Sequence, residues 1–272
     1  MSTLLLPLVS TGNVPQLVTD LILHSLSSEF EFVRELDSQY LFPFTGPLDY
    51  VKGSQASLYE TAEGKTLTTP LELFYSSALN LYVVQQRSPL LQNYENNFCK
   101  EALVPLIEEL QIEQLIIFDA TDDIEESVAV SRLNRTPYSL GICEISQIDD
   151  IAAEFEQKLQ MKDVLPRPTN NTLFKFTETS FQSGISAEQF TYKLCYHLLQ
   201  SSKFTSCLKG IRYFNTYVQE GDNSEDAAAA CDQLPLFVEG FPKITQYHTP
   251  VSWEGVYGVR NAPSSFEEGL YI

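Results

Sequence analysis

Apolar positions come in short runs divided by polar stretches, and the runs alternate between strand and helix periods. Residues 3–9 form one apolar run of strand length. Ser10-Thr-Gly-Asn13 interrupts it, and Leu17, Leu21 and Leu23 or His24 then fall near helical spacing. Asn13 as cap with Pro15 in the first turn predicts a helix start. Strand, glycine turn and helix in this order open an α/β layer fold. Stretches 30–36 and 40–45 have strand character. Residues 46–70 are polar and glycine-containing, which predicts a long exposed loop with room for one short element. Stretches 71–75 and 81–86 flank Ser-Ser-Ala-Leu-Asn and predict a hairpin.

Within 93–110, Phe98, Ala102, Leu106 and Leu110 recur every four residues, the pattern of one buried helix face. Pro105 is expected to kink this helix rather than end it. A compact strand at 115–118 follows. Residues 124–135 read as loop, 138–145 as a strand, 148–159 as an amphipathic helix and 164–171 as an irregular surface crossing. Ser186-Ala-Glu-Gln189 has the capping-box pattern, and Phe190, Leu194 and Leu198 line the helix it opens. Stretch 211–218 is the last core strand. Residues 251–258 hold the only Trp and are expected to pack back on the core.

At 272 residues and 43% hydrophobic, the chain can bury a core as one large domain or two small ones. Seventeen Lys and Arg against 36 Asp and Glu give a formal charge of −19. That argues against nucleic acid, which is bound by basic residues that displace counterions. It also argues against an anionic membrane surface. A basic protein partner fits better. The five cysteines are odd in number and form no Cys-x-x-Cys, so they read as buried free thiols in a reducing compartment. The first residues have no basic region before a short apolar stretch, and no apolar run reaches the roughly eighteen residues needed to span a bilayer. A soluble intracellular protein is expected.

Candidate chemistry is sparse. The Ser10–Asn13 turn, a strand–glycine–helix junction, is the kind of place that cradles phosphate. With one glycine, no GxGxxG and no Lys-Ser/Thr, plain connection is the better reading. Asp119, Asp122 and Asp123 sit after a strand, where α/β folds place sites. No further ligands for a metal are evident, and they read as solvated loop acids. Asp222, Ser224 and Asp226 mimic the start of a calcium loop. However, Ala227 stands where glycine is required and Gln233 where the bidentate Glu should be. These acids read instead as a cap and first turn that complement a helix dipole. No GxSxG, HExxH or Walker loop occurs. His24, His197 and His248 are far apart, and the two in helical patterns read as structural. Asn134 and Asn170 match glycosylation acceptors by chance. No catalytic, cofactor or metal-binding residue is assigned.

The chain closes on Leu270, Tyr271 and Ile272, after a stretch of Pro, Gly, Ser and acids with little apolar surface. Such a terminus is expected to be mobile unless captured. Tyr271 can fill an apolar slot while its hydroxyl keeps a hydrogen bond, and a terminal carboxylate suits a lysine or backbone N–H groups.

Taken together these residues resemble the fungal members of the proteasome assembly chaperone family. The likeness rests on Leu6-Pro-Leu-Val-Ser-Thr-Gly-Asn-Val-Pro-Gln-Leu, Tyr40-Leu, Gly46-Pro-Leu-Asp49, Gln86-Arg-Ser-Pro-Leu, Asn97-Phe, Glu220-Gly-Asp-Asn-Ser224 and Ser252-Trp-Glu-Gly-Val-Tyr-Gly258. It runs from the first strand to the end, with gaps around 53–69 and 122–137. The resemblance implies a three-layer α/β/α domain over 1–260, similar to the purine-nucleoside-phosphorylase-like fold. It also implies a flexible tail over 261–272 with the family's hydrophobic–Tyr–any-residue ending. It implies no enzymatic activity, no cofactor, and a heterodimer with proteasome assembly chaperone 1 on the outer face of the proteasome α-subunit ring. Carried over by position, the resemblance implies that Leu270, Tyr271 and Ile272 would take the family's place in a pocket between α subunits, the carboxylate meeting a lysine and the Tyr packing at the mouth. The resemblance further implies that the pair assists α-ring assembly, blocks premature docking of activators, and leaves after maturation; the cytoplasm is the expected compartment, with the nucleus as a second. Two other readings stay open. One is an enzyme on this scaffold using the Ser10–Asn13 turn and Asp119, the other a generic acidic adaptor whose tail is irrelevant.

Overall fold

β1 (Thr3–Pro7) is buried along its whole length because both of its faces and both of its edges are covered. It pairs in parallel with β6 (Leu81–Gln86) on one side and with β7 (Gln114–Asp122) on the other. β10 (Gly210–Val218) extends the parallel block beyond β7. Antiparallel strands flank it: β5 (Leu71–Ser76) and β2 (Glu31–Glu35) beyond β6, and β8 (Tyr138–Glu144) and β9 (Lys175–Phe176) beyond β10. The computed structural model describes residues 1–54, 58–122, 138–144, 175–176, 189–201 and 207–258. Within these the strands form one eight-stranded mixed sheet in the order β2-β5-β6-β1-β7-β10-β8-β9.

Successive residues of the central strands point to opposite faces, and each face has its own core. Leu5, Val83, Ile116, Phe118 and Phe214 meet helix α1 (Val14–Ser25) and a later helix, here α5 (Ser224–Cys231). Leu4, Leu6, Val84, Leu115, Ile117 and Tyr213 meet α2 (Glu95–Phe98), α3 (Val104–Glu109) and α4 (Phe190–Gln200). Helices cover both faces, so the architecture is the expected three-layer α/β/α. The apolar runs at the middle of these strands follow from burial on both sides.

The first strand, the hairpin of β5 and β6, β2, β8 and β10 stand where the sequence pattern put them, and β7 covers the expected 115–118 but runs on to Asp122. The helix expected over 93–110 is present, running through Pro105 without ending there, and it carries a π turn at Cys99–Leu103, two residues before the proline. Proline offers no N–H to the Glu101 carbonyl and its ring crowds that carbonyl, and the wider turn takes up the mismatch. α4 follows Gln189, and Leu194 and Leu198 are buried as expected.

Three expectations need correction. Stretch 40–45 is no strand: only Leu41 bridges, to Leu90, because Pro43 cannot donate, and Phe42 and Phe44 face solvent. Stretch 46–70 is not a wholly exposed loop. Gly46–Pro47 (β3) pairs with Leu67–Thr68 (β4), and Leu58 and Tyr59 are buried. The Tyr59 hydroxyl donates to the fully buried Glu72 carboxylate at 2.8 Å, and Lys65 pairs with the same group at 2.8 Å. Asn13 does precede α1, but in a left-handed conformation and without a side-chain capping bond. The readings at Asp123, 124–135, 148–159, 164–171, Ser186, Asn134 and Asn170, and over the 261–272 tail, lie outside the described residues.

Candidate functional site

Leu270, Tyr271 and Ile272 lie outside the described residues, so the site is approached through its root, the segment 247–258. The root is held down by a buried polar cluster that begins on α1. Asp20 sits on the covered side of this helix among apolar residues and is only 5% exposed. A buried carboxylate needs donors, and two reach it: the Gln85 amide at 2.7 Å and the Trp253 indole N–H at 3.0 Å. Arg87, just beyond β6, stands 3.4 Å from both Asp20 and Asp49. Burial works against the Arg87 guanidinium, but Asp20 and Asp49, with smaller help from Tyr59 and Glu72, outweigh it and raise its pKa. Asp49 in turn accepts from the Ser252 N–H at 3.2 Å and from the Ser252 hydroxyl.

Further bonds run along the same segment. Tyr247 donates to Asp232 at 2.6 Å, the His248 N–H to Ser25 Oγ at 2.9 Å, and the Val251 N–H to the Tyr50 carbonyl at 2.9 Å. Lys52 pairs with Glu254 at 2.6 Å, and the Gly258 N–H donates to Asp222 at 2.8 Å. Trp253 lies in the core on the α1 and α5 face, its ring 5.5 Å from that of Tyr257. Residues 247–258 are therefore a strap fastened to α1, α5 and the loop at 49–52, as the expectation for 251–258 required. Its components were passed over as chemistry in the sequence. The available signal was an aspartate and a histidine, Asp20 and His24, one helical turn apart inside an otherwise apolar run.

The other group of candidates meets at the C-terminal ends of β1, β7 and β10. Asp119 is not a solvated loop acid: it lies inside β7, paired in register with Asn215. Burial pushes its carboxyl up, opposed by donors from Tyr213, the Ala120 N–H and Ser10. The Tyr213 hydroxyl is 2.9 Å from one oxygen and the Ala120 N–H 2.8 Å from the other, and that N–H also reaches Ser10 Oγ at 3.0 Å. The structure thus brings Ser10 and Asp119 together, with both carboxylate oxygens committed to holding β1, β7 and β10. Gly12 adopts φ +63°, and a Cβ there would stand 2.5 Å from Asn223 Oδ1. The space a phosphate cradle needs in front of this turn is filled by the Asn223 side chain, which donates to Gln219 and Asp226. Asp222 and Asp226 serve the start of α5 as expected, Asp222 accepting from the Ser224 N–H at 3.2 Å. The residue at the cap position is Asn223, without a side-chain capping bond.

His24 is buried in α1 and His197 contacts Asn96 at 3.1 Å on the opposite layer. Among the described residues, no group of three or more His, Cys, Asp or Glu is placed to hold a metal ion, and no helix is long and apolar enough to cross a membrane.

Comparison with known proteins adds three findings. The family profile described as PAC2 family matches residues 4–237. The chain is 36% identical over 269 residues to proteasome assembly chaperone 2 of Saccharomyces cerevisiae, covering 98% of each chain. It is 27% identical over 253 residues to the protein of the same name from Nematostella vectensis, covering 91% of each. In three dimensions it is similar to a Thermoplasma acidophilum protein of unknown function, with a TM-score of 0.51, 10% identity, and coverage of 90% of this chain and 78% of that one; this likeness concerns the fold.

Proposed function

The chain belongs to the PAC2 family, and from that premise we propose that it is a proteasome assembly chaperone that works by binding and does no catalysis of its own. In this reading it pairs with proteasome assembly chaperone 1, and the pair sits on the outer face of the α-subunit ring. It promotes ring assembly and keeps activators off until the particle matures, in the cytoplasm and the nucleus. Leu270, Tyr271 and Ile272 enter a pocket between α subunits by the tyrosine ring and the terminal carboxylate.

The observation that carries the reading is the match along nearly the whole chain to a yeast protein of that name. The strap agrees with it: residues 259–272 follow directly from a segment fixed to the body at Trp253, Ser252 and Gly258. The strand-end cluster gives the enzyme reading no support, since the Ser10 hydroxyl accepts from the Ala120 N–H of β7 and Asp119 accepts from the Tyr213 hydroxyl of β10.

Affinity purification from cell extract, read by mass spectrometry, tests the proposal. Chaperone 1 and α subunits without the mature β set are expected. Recovery of neither overturns it. Expressed alone, the chain is expected to self-associate, because obligate interfaces are unusually apolar, and co-expression of chaperone 1 is expected to rescue it.

A further inference from the structure

We propose that the cleft between β2 and α3 is a docking site for an arginine side chain of a partner protein. The site is independent of the tail. The cleft offers about 240 Å³. That is less than the roughly 300–1,000 Å³ of pockets for free small ligands, and it suits one long side chain. Its floor is apolar, with Leu36, Leu71, Pro105 and Leu106, and its rim is acidic, with Glu35, Asp37, Glu101 and Glu109. Arginine has the matching division, an apolar stem and a cationic head. Carboxylates converging on one point would suit a metal ion instead, but among the described residues no such group of three exists.

The state of the four carboxylates points to a cation from outside the chain. Glu109 holds the Arg34 guanidinium by two bonds of 2.8 and 2.7 Å, and Glu35 pairs with Lys65 at 2.8 Å. Glu101 and Asp37 are held by neutral groups instead. Glu101 accepts from the Tyr40 hydroxyl and from the Asn97 amide at 3.4 Å, and Asp37 accepts from the Gln39 N–H at 3.0 Å. Among the described residues neither pairs with a lysine or arginine, so two negative charges are fixed in place and left unbalanced. The hydrogen bond to Glu101 pushes the Tyr40 phenol up and the Asp37 charge adds to the shift, so both carboxylates flank this side chain. Tyr40 in turn stacks on the exposed Tyr94, ring centroids 5.7 Å apart. A guanidinium forks onto carboxylates and lies on aromatic faces, and the cleft edge presents both. Glu101 stands on the π turn, a deviation often found at functional sites.

The test is a nuclear magnetic resonance titration of the full chain, isotope-labelled at tyrosine nitrogen, alone and paired with chaperone 1. Tyr40→Phe and Tyr94→Phe each remove one signal and so assign the two amides. The probes are acetyl-Ala-Arg-Ala-amide and its lysine and citrulline counterparts, added to tens of millimolar. Saturable shifts at Tyr40 and Tyr94 are expected with arginine, weaker binding with lysine, and none with citrulline, which keeps the shape and loses the charge. Glu101→Gln, Asp37→Asn and Tyr94→Ala are each expected to weaken arginine binding about two- to fivefold. Glu225→Gln, an exposed acid of α5 on the opposite layer, is expected to leave it unchanged. Arginine shifts lost on pairing assign the natural arginine to chaperone 1, and shifts kept in the pair assign it to a later partner. If chaperone 1 does not bind, the function proposed above fails while the chain alone still decides the cleft. Equal shifts with arginine and citrulline overturn the proposal, as does lysine binding as tightly as arginine. Equal weakening by Glu225→Gln overturns it too, because it reports only the overall negative field. Absence of shifts at Tyr40 and Tyr94 in both arms does the same.

Discussion

Trp253 and Asp20 are 233 residues apart in the chain, yet the indole N–H of one donates to the carboxylate of the other at 3.0 Å in the buried interior. The two halves of this contact are separable. Trp253→Ala removes a large buried ring and is expected to cost about 3–5 kcal/mol. Trp253→Phe keeps most of the packing, loses a hydrogen bond to a charged group, and is expected to cost about 1.5–3 kcal/mol. Urea denaturation of both variants checks this; equal losses mean that the hydrogen bond contributes nothing separable from packing.

Gly12 is required twice, by its positive φ and by the Asn223 side chain against it. Gly12→Ala is expected to destabilise by more than about 1 kcal/mol. Adding Asn223→Ala removes the collision but not the backbone strain, so the double variant is expected to be more stable than the sum of the two single losses predicts. A double-mutant cycle in urea measures the coupling, and strict additivity contradicts the contact.

His24 makes stability depend on pH. Burial lowers its pKa, Asp20 and Asp49 raise it, Arg87 lowers it, and the net shift is downward; Nε2 is buried without a partner. From about one unit above 6.5 upward the imidazole is neutral folded and unfolded, and it adds no slope. Below that, the unfolded chain takes the proton first, so stability falls as pH falls, by at most about 1.4 kcal/mol per pH unit. Between pH 7.5 and 5.5, His24→Gln is expected to lose less stability than the native protein. Parallel curves refute the assignment.

Extending the chain by one glycine moves the terminal carboxylate about 3.5 Å while leaving Tyr271 intact. If that carboxylate docks on a lysine, a charge-assisted bond of about 1.5–3 kcal/mol is lost. The extended protein is then expected to mimic much of the Tyr271→Ala defect in α-ring binding, while Ile272→Val is nearly silent. An extended tail that binds as well as the native one rules out insertion by the carboxylate.

What the sequence disclosed about the fold follows from how local each element is. β1, the β5–β6 hairpin and β10 are short apolar runs bounded by turn residues, and each specifies itself. β7 outran its expected end because pairing with Asn215 to Val218 carries it through Asp122, a non-local effect with no trace in residues 119–122. Pro43 defeated the apolar stretch around it for the opposite, purely local reason. The polar cluster under the strap stayed hidden because Asp20, Asp49, Arg87 and Trp253 look like ordinary residues until the chain brings them together. The tail motif was legible only through its resemblance to the family, and nothing among the described residues bears on it.

The two cores also differ in a way that makes their opening separately readable. Cys231 belongs to the α1 and α5 layer, while Cys99 and Cys195 belong to the layer of α2, α3 and α4. Burial pushes the Cys99 and Cys231 thiols up to about 12, so in the closed protein they are almost wholly protonated and inert. Alkylation at either must wait for its own layer to open. The protein thus carries an internal clock on each side of the sheet. The rates at which a thiol reagent reaches Cys231 and Cys99 would tell whether a partner, on docking, quiets one layer and leaves the other breathing.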